Sequence, residues 1–352
     1  MIKYRKMRCL ADQLTLAWYI IPIGWCSGAH LLSRMNMEAF ATAIVNTFED
    51  CWCVMKFCAC LFLLFAAVVE AGPSFVYILQ AEKFAKNKEA FVRKINESGR
   101  QLVVIDYSFD GSKEGMWRPS EIAAMKKSDG NRRIVAYLSI GEAEDYRPYW
   151  KKEWEGDGRP GFLVEENKEW KGNFRVRYWR KDWQAIVFSY LETIVNQGFD
   201  GVYLDIVDGY EFFEKGKDNC INPETKRTYR QDMKLFVTEI VQYAKRRSAR
   251  FIVIQQNAQA LFEDSDYMAR LDGIGAEDVF TNGKRQQKER EINETIGYLK
   301  KAQAKGLIVV LVDYPKDAEL QQFVRKNAMK NGLDVLITNR GLTKLGSFFP
   351  AK

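Results

Sequence analysis

Histidine is nearly missing from this chain: among 352 residues there is one, His30. Beyond it, Ser-His-Asp and Cys-His nucleophilic catalysis and the His-based zinc sites are excluded. Acid–base chemistry therefore falls to Asp, Glu, Tyr or Lys. Cysteine is almost as unevenly supplied. Cys9, Cys26, Cys51, Cys53, Cys58 and Cys60 all precede residue 61, so Cys220 stands alone in the rest of the chain, without a disulfide partner. With no histidine beside it, Cys220 in "KDNCINPE" reads as incidental rather than reactive. There is no Gly-rich phosphate loop after the first strand-like run, no calcium-loop spacing and no long basic run. The net charge of +7 is spread along the chain. We therefore expect no metal, no cofactor and no nucleic-acid partner. No linker and no internal repeat is visible either.

The N-terminal region reads as a targeting segment. Met55 and Lys56 precede "FCACLFLLFAAVVEAG", a short positive start followed by an apolar run that closes on Val69-Glu70-Ala71. That is the form of a secretory signal, and the run is short for a membrane span. The expectation is a signal peptide at 55–71 cut after Ala71, with residues 1–54 a mis-called upstream extension. A secreted or periplasmic protein follows, with no stable membrane association after cleavage. The competing reading is a cytosolic protein with a hydrophobic N-terminal helix.

What is abundant comes after residue 72. Hydrophobic residues make up 47% of the sequence and charged ones 28%, enough for a sizeable core. Short β-branched and aromatic runs alternate with charged stretches of helical period. Strands are expected at 75–80, 102–107, 133–141, 174–179, 201–206, 251–257, 273–278, 307–314 and 334–339. Helices are expected at 84–98, 181–197, 228–248, 286–305 and 317–330, with Gly99, Gly198, Gly306 and Gly332 as C-terminal stops. Repeated strand–helix units of this size predict an α/β fold, a TIM-like (β/α)8 barrel, over residues 72–352. Nine strands are one too many, and 174–179 is the expected outsider, because the preceding connection shows no clear amphipathic helix. An open doubly wound sheet is the alternative.

Polar residues gather where these strands end. They include Asp106 and Tyr107, Glu142, Asp205 and Asp208, Gln256 and Asn257, Glu277, Asp313 and Tyr314. In a barrel such ends share one face, and that face carries the active site. Alternation sharpens the reading. If Val202, Leu204 and Ile206 face the outer helices, Tyr203 and Asp205 face the axis; if Ile274 and Ala276 pack outward, Glu277 points in. Two inward carboxylates suit glycoside hydrolysis, one attacking or activating water and the other protonating the leaving oxygen. All six tryptophans after residue 72 lie between 117 and 183, and such a cluster at a barrel mouth suits stacking on sugar rings.

The blocks "VAYLSIGEAEDYRPYW", "GFDGVYLDIVDGYEFF" and "GIGAEDVF" resemble glycoside hydrolase family 114, over about residues 74–345. The resemblance implies a TIM-like barrel that hydrolyses α-1,4 linkages in galactosamine-containing polysaccharide with retention of configuration. It places the catalytic Asp at Asp205 and the catalytic Glu at Glu277. Asp106, Tyr107, Glu142, Tyr210 and Asn257 are implied around the sugar, and we add Tyr203 from its inward facing and Asp208 and Asp313 from their positions at strand ends. Two alternatives stay open: a polysaccharide-binding barrel without turnover, and a hydrolase or lyase acting on another substrate.

Overall fold

Short runs of β-branched and aromatic residues, apolar on both faces, form strands that are buried from the inside and the outside at once. The computed structural model describes residues 73–126, 130–216 and 220–351, so the expected signal at 55–71 and the stretch 1–54 lie outside the described residues. The chain runs from strand β1 (Phe75–Ile78) through helix α1 (Lys88–Glu97) to β2 (Leu102–Ile105), then through α2 (Pro119–Lys126) to β3 (Arg133–Ser139). An excursion follows, made of β4 (Glu142–Glu144), β5 (Leu163–Glu166) and β6 (Asn173–Val176). The alternation resumes with α3 (Lys181–Asn196), β7 (Gly201–Asp205), α4 (Tyr229–Arg247), β8 (Ile252–Gln256) and β9 (Gly273–Glu277). It ends with α5 (Glu289–Ala304), β10 (Ile308–Asp313), α6 (Ala318–Lys330), β11 (Val335–Ile337) and β12 (Ser347–Phe349).

The main sheet has nine strands in the order β1-β2-β3-β7-β8-β9-β10-β11-β12, every pairing parallel except the last. Backbone N–H groups of Leu79 and Gln80 both donate to the Leu342 carbonyl, drawing the first strand's end toward the segment after β11. The result is a nearly closed barrel with helices outside. Strands β4, β6 and β5 form a separate antiparallel sheet, so the strand expected at 174–179 does fall outside the barrel.

Two apolar clusters record the alternation. The outer one, between strands and helices, contains Val202, Leu204, Ile274 and Ala276. An inner one fills the barrel with Phe75, Tyr77, Val104, Tyr137, Tyr203, Ile254, Val310, Val312 and Leu336. Helix entries follow local chemistry: Asn87 and Asp317 accept hydrogen bonds from first-turn N–H groups, and Thr228 and Gln231 form a reciprocal capping box. The four glycines expected to stop helices all adopt positive φ.

Candidate active site

Strands β7 and β9 share one pattern, four buried residues and then a half-buried carboxylate at the C-terminal end. They lie on either side of β8, and the odd positions of β7 face inward, so Asp205 and Glu277 both enter the barrel mouth. They line a single cavity of about 670 Å³. Gln256 and Asn257, from the end of β8, line it between them.

A floor of tyrosines supports the two acids. The Tyr137 hydroxyl donates to Asp205 Oδ2 at 2.7 Å, and the Tyr314 hydroxyl donates to Glu277 Oε1. Tyr77 donates to Gln256 Oε1 at 3.1 Å, and its ring centroid lies 5.2 Å from that of Tyr203. Burial pushes the hydroxyls of Tyr77, Tyr137, Tyr203 and Tyr314 well above the usual phenol range, which keeps them protonated as donors. Gly275 makes this floor possible. A Cβ there would come within 1.8 Å of the Tyr203 hydroxyl, so any side chain would displace either the ring or the strand carrying Glu277.

Backbone at the mouth is unusual. Ile206, Asn257 and Asp278, each the residue immediately after β7, β8 or β9, have φ of 56°, 55° and 52°. A β-branched residue in the left-handed region is an outlier, and such conformations cluster at functional sites. At Ile206 the turn has a visible effect: its N–H donates to Asp205 Oδ1 at 2.8 Å, fixing the second carboxylate oxygen. Ile206 therefore lines the cavity instead of facing the outer helices as strict alternation predicts, because the strand stops one residue earlier.

Electrostatics separates the two acids. Burial raises the Asp205 carboxyl to about 6, with the Tyr137 and Ile206 hydrogen bonds pulling the other way. Burial raises Glu277 further, to about 8, and the neighbouring Asp205 charge adds to it. Near neutral pH Asp205 is thus mostly ionised and Glu277 mostly protonated, the split that an anion and a proton donor need. Asp208 is pushed to about 7 by burial and by the charges of Asp205 and Glu211.

The opposite wall is built around Arg147. Its guanidinium pairs with Asp106 Oδ2 at 2.7 Å and Glu144 Oε2 at 2.6 Å, with all three side chains nearly inaccessible to water. Rings of Tyr107, Tyr137, Tyr146 and Tyr190 surround it. Glu142, on β4, accepts from Asn167 at 2.9 Å and pairs with Arg175 at 3.3 Å, and burial still raises its carboxyl.

Of the residues singled out from sequence, Asp106, Glu142, Asp205, Asp208, Asn257 and Glu277 line this cavity. Asn257 Oδ1 also accepts the Glu277 N–H at 3.1 Å. Four others sit elsewhere. Tyr203 is wholly buried beneath the acids, and Tyr107 points to the outside, where it meets Tyr190 at 4.6 Å. Tyr210 is packed in the outer cluster under Arg230, and Asp313 accepts hydrogen bonds from Phe280 N–H and the Thr281 hydroxyl behind the mouth. Among the described tryptophans, Trp170 alone lines the cavity. Trp117, Trp154 and Trp183 are core, and Trp150 and Trp179 pack against it. The segment "RPYWKKEW" looks exposed in sequence, but Trp150 and Trp154 bury against Phe174 and Phe162.

Sequence reasoning missed Tyr137, Glu144 and Arg147. For Tyr137 a signal existed: it is the inward residue two before the end of β3, in the same alternation that selects Tyr203. No comparable signal marks the Arg147 pairings, which depend on where the excursion folds back.

A sequence model of glycoside-hydrolase family GH114 matches residues 68–350. An uncharacterized protein of Methanocaldococcus jannaschii is 37% identical over 276 residues, covering 74% of this chain and 77% of that protein. An uncharacterized protein of Thermotoga maritima is 37% identical over 226 residues, covering 64% of this chain and 68% of that one. Among solved structures, the glycoside hydrolase domain of PelA from Pseudomonas aeruginosa superposes with a TM-score of 0.57 at 14% identity, over 78% of this chain and 98% of that one. Aspergillus fumigatus Ega3, solved as a complex with galactosamine, gives a TM-score of 0.57 at 19% identity, over 81% of this chain and 98% of that one. At such identities the structural likeness is one of fold.

Proposed function

The chain belongs to glycoside-hydrolase family GH114 and is a glycoside hydrolase; we propose that it cleaves α-1,4-galactosaminidic bonds in an amino-sugar polysaccharide, with Asp205 as nucleophile and Glu277 as acid–base catalyst. The observation that carries this reading is the pair of inward carboxylates at the ends of β7 and β9, in one cavity, with ionisation set apart at about 6 and about 8.

In this mechanism an ionised Asp205 oxygen attacks the anomeric carbon as the glycosidic C–O bond breaks. Glu277 gives its proton to the departing oxygen. Water then attacks the glycosyl-enzyme, Glu277 takes its proton, and Asp205 leaves as carboxylate, so configuration is retained. Asp208 and Asn257 hold the sugar, and Asp106 and Glu142, ion-paired and nearly covered, shape the wall it lies against. Tyr107, Tyr203, Tyr210 and Asp313 act from behind, by packing and by fixing backbone.

Charge supports the amino-sugar part. Among the described residues the cavity is lined by nine carboxyl groups and three cationic side chains, although the whole chain is net positive. The charged groups acting on Asp208 are Asp205, Glu211 and Glu142, all of them acidic, so a protonated amine brought to Asp208 would be the cation this cluster is short of. Galactosamine in the Ega3 complex is consistent with that choice. The polymer is too large to enter a cell intact, which fits secretion or periplasmic export through the segment 55–71. Among the described residues no helix is long and apolar enough to cross a membrane.

The test is a reducing-end assay on partly and fully deacetylated α-1,4-galactosamine polymer. Wild type releases ends, and NMR shows the α-anomer first. Asp205→Asn and Glu277→Gln each fall by at least about a hundredfold. A wild type silent on every amino-sugar polymer defeats the substrate, and a fully active Asp205→Asn defeats the mechanism.

A further inference from the structure

We propose that Tyr146 and Trp170 form an aromatic platform on the excursion that binds one pyranose unit of a deacetylated amino-sugar chain beside the point of cleavage. This rests on the amino-sugar reading above and adds a binding site to it.

The first observation is where aromatic surface is left uncovered. Large hydrophobic side chains that stay exposed are few among the described residues, and the only aromatics are Tyr146 at 52% and Trp170 at 49%. Both line the cavity that holds Asp205 and Glu277. Leaving an indole in water forgoes the gain of burying it. Among the described residues, exposed aromatic surface is thus confined to the lining of this cavity.

The second observation is that the Tyr146 ring and the turn carrying Trp170 are both held. Tyr146 follows β4 closely; its hydroxyl donates to Glu144 Oε1 at 2.6 Å, and the Arg147 guanidinium lies 4.9 Å from its ring centroid. Trp170 sits at the tip of the turn between β5 and β6. Its backbone N–H donates to the Asn167 carbonyl, and its own carbonyl accepts from Asn173 N–H at 3.1 Å. The side chains of those same two asparagines both donate to Glu142, at 2.9 and 3.5 Å. The turn is therefore tethered at both stems to a carboxylate in the cavity wall, while the indole stacks on no other ring among the described residues.

A held ring and a tethered turn lose little entropy on binding, and the axial C–H face of a pyranose is the surface that stacks on aromatic rings. A protonated amine adds attraction to the indole face, while the two flanking charges that line the cavity, Glu169 and Lys171, oppose each other. The platform thus favours deacetylated over acetylated units.

The experiment uses the intact protein and α-1,4-galactosamine oligomers of graded length, acetylated and deacetylated. With Asp205→Asn to stop turnover, deacetylated oligomers quench or blue-shift tryptophan emission, and Trp170→Phe removes most of that change while circular dichroism stays the same. In the otherwise native enzyme, Trp170→Ala raises KM for long deacetylated oligomers about tenfold, with a smaller rise for acetylated ones and kcat within about threefold. An unchanged KM, or an emission change that survives in Trp170→Phe, overturns the platform. An enzyme without turnover on these oligomers that still shows the Trp170-dependent emission change counts against the cleavage reading and supports the platform.

Discussion

Tyr137 crosses diagonally from β3 to β7 to hold Asp205. In the sheet register Tyr137 lies opposite Tyr203, and Asp205 opposite Ser139, yet the Tyr137 hydroxyl reaches Asp205 Oδ2 at 2.7 Å. A phenol on this diagonal donates from below, so the carboxylate keeps its remaining lone pairs for the cavity. Tyr314 does the same for Glu277 from the other side. The two acids are thus tuned by separate tyrosines, and the tuning is measurable.

Activity against pH should form a bell. kcat/KM rises as Asp205 ionises near pH 6 and falls as Glu277 loses its proton near pH 8. Each tyrosine donates to a carboxylate and so favours its ionised form. Removing either donor raises the pKa of its partner. Tyr137→Phe therefore moves the acidic limb to higher pH, and Tyr314→Phe moves the alkaline limb to higher pH. Profiles of the two variants that shift the opposite limbs, or none, contradict the assignment of nucleophile and acid.

Stability should improve when Glu277 is neutralised. Its folded pKa is raised from 4.5 to about 8, so the folded state holds this proton where the unfolded chain has lost it. The associated stability is fully present below pH 4.5 and disappears as pH rises through 8. Glu277→Gln is then more stable than wild type at pH 8, by about 2–4 kcal/mol, and equal to it near pH 4. Urea unfolding at the two pH values reads the difference. A variant less stable at pH 8 contradicts the buried environment assigned to this carboxyl.

Arg147 should be costly to truncate alone. It neutralises Asp106 and Glu144 where water hardly reaches. Arg147→Met leaves two buried carboxylates facing each other and should cost about 3–5 kcal/mol. Adding Asp106→Asn and Glu144→Gln should return much of that loss, because no charge is then left unpaired. Denaturant midpoints for the single and triple variants check both statements.

The sequence carried the barrel well where its signal was local. Strands such as 201–206 and 273–278 end within a residue of their observed limits, since the alternation and flanking glycines are internal to each segment. Residues 142–144, 163–166 and 347–349 passed unnoticed because "EAE", "LVEE" and "SFF" become strands through distant partners, not through their own pattern. Helix 119–126 was missed because eight residues are too few for a 3.6-residue period to show. At the site, inward facing was legible for Asp205 and Glu277. Tyr107 and Tyr210 misled because a position near a strand end fixes height in the barrel and leaves the direction of the side chain open. Asp106 points in, and Tyr107 after it turns out to meet Tyr190.

The excursion leaves the barrel after β3 and returns before β7, two strands that pair directly with each other. The ladder between them is unbroken, so the small sheet is an appendage whose tip can be lengthened, shortened or replaced without cutting a barrel hydrogen bond. Scission chemistry and reach along a polymer are in that sense separable: the turn at 167–173 can change in length or sequence while Asp205, Glu277 and their tyrosines keep their strands and partners.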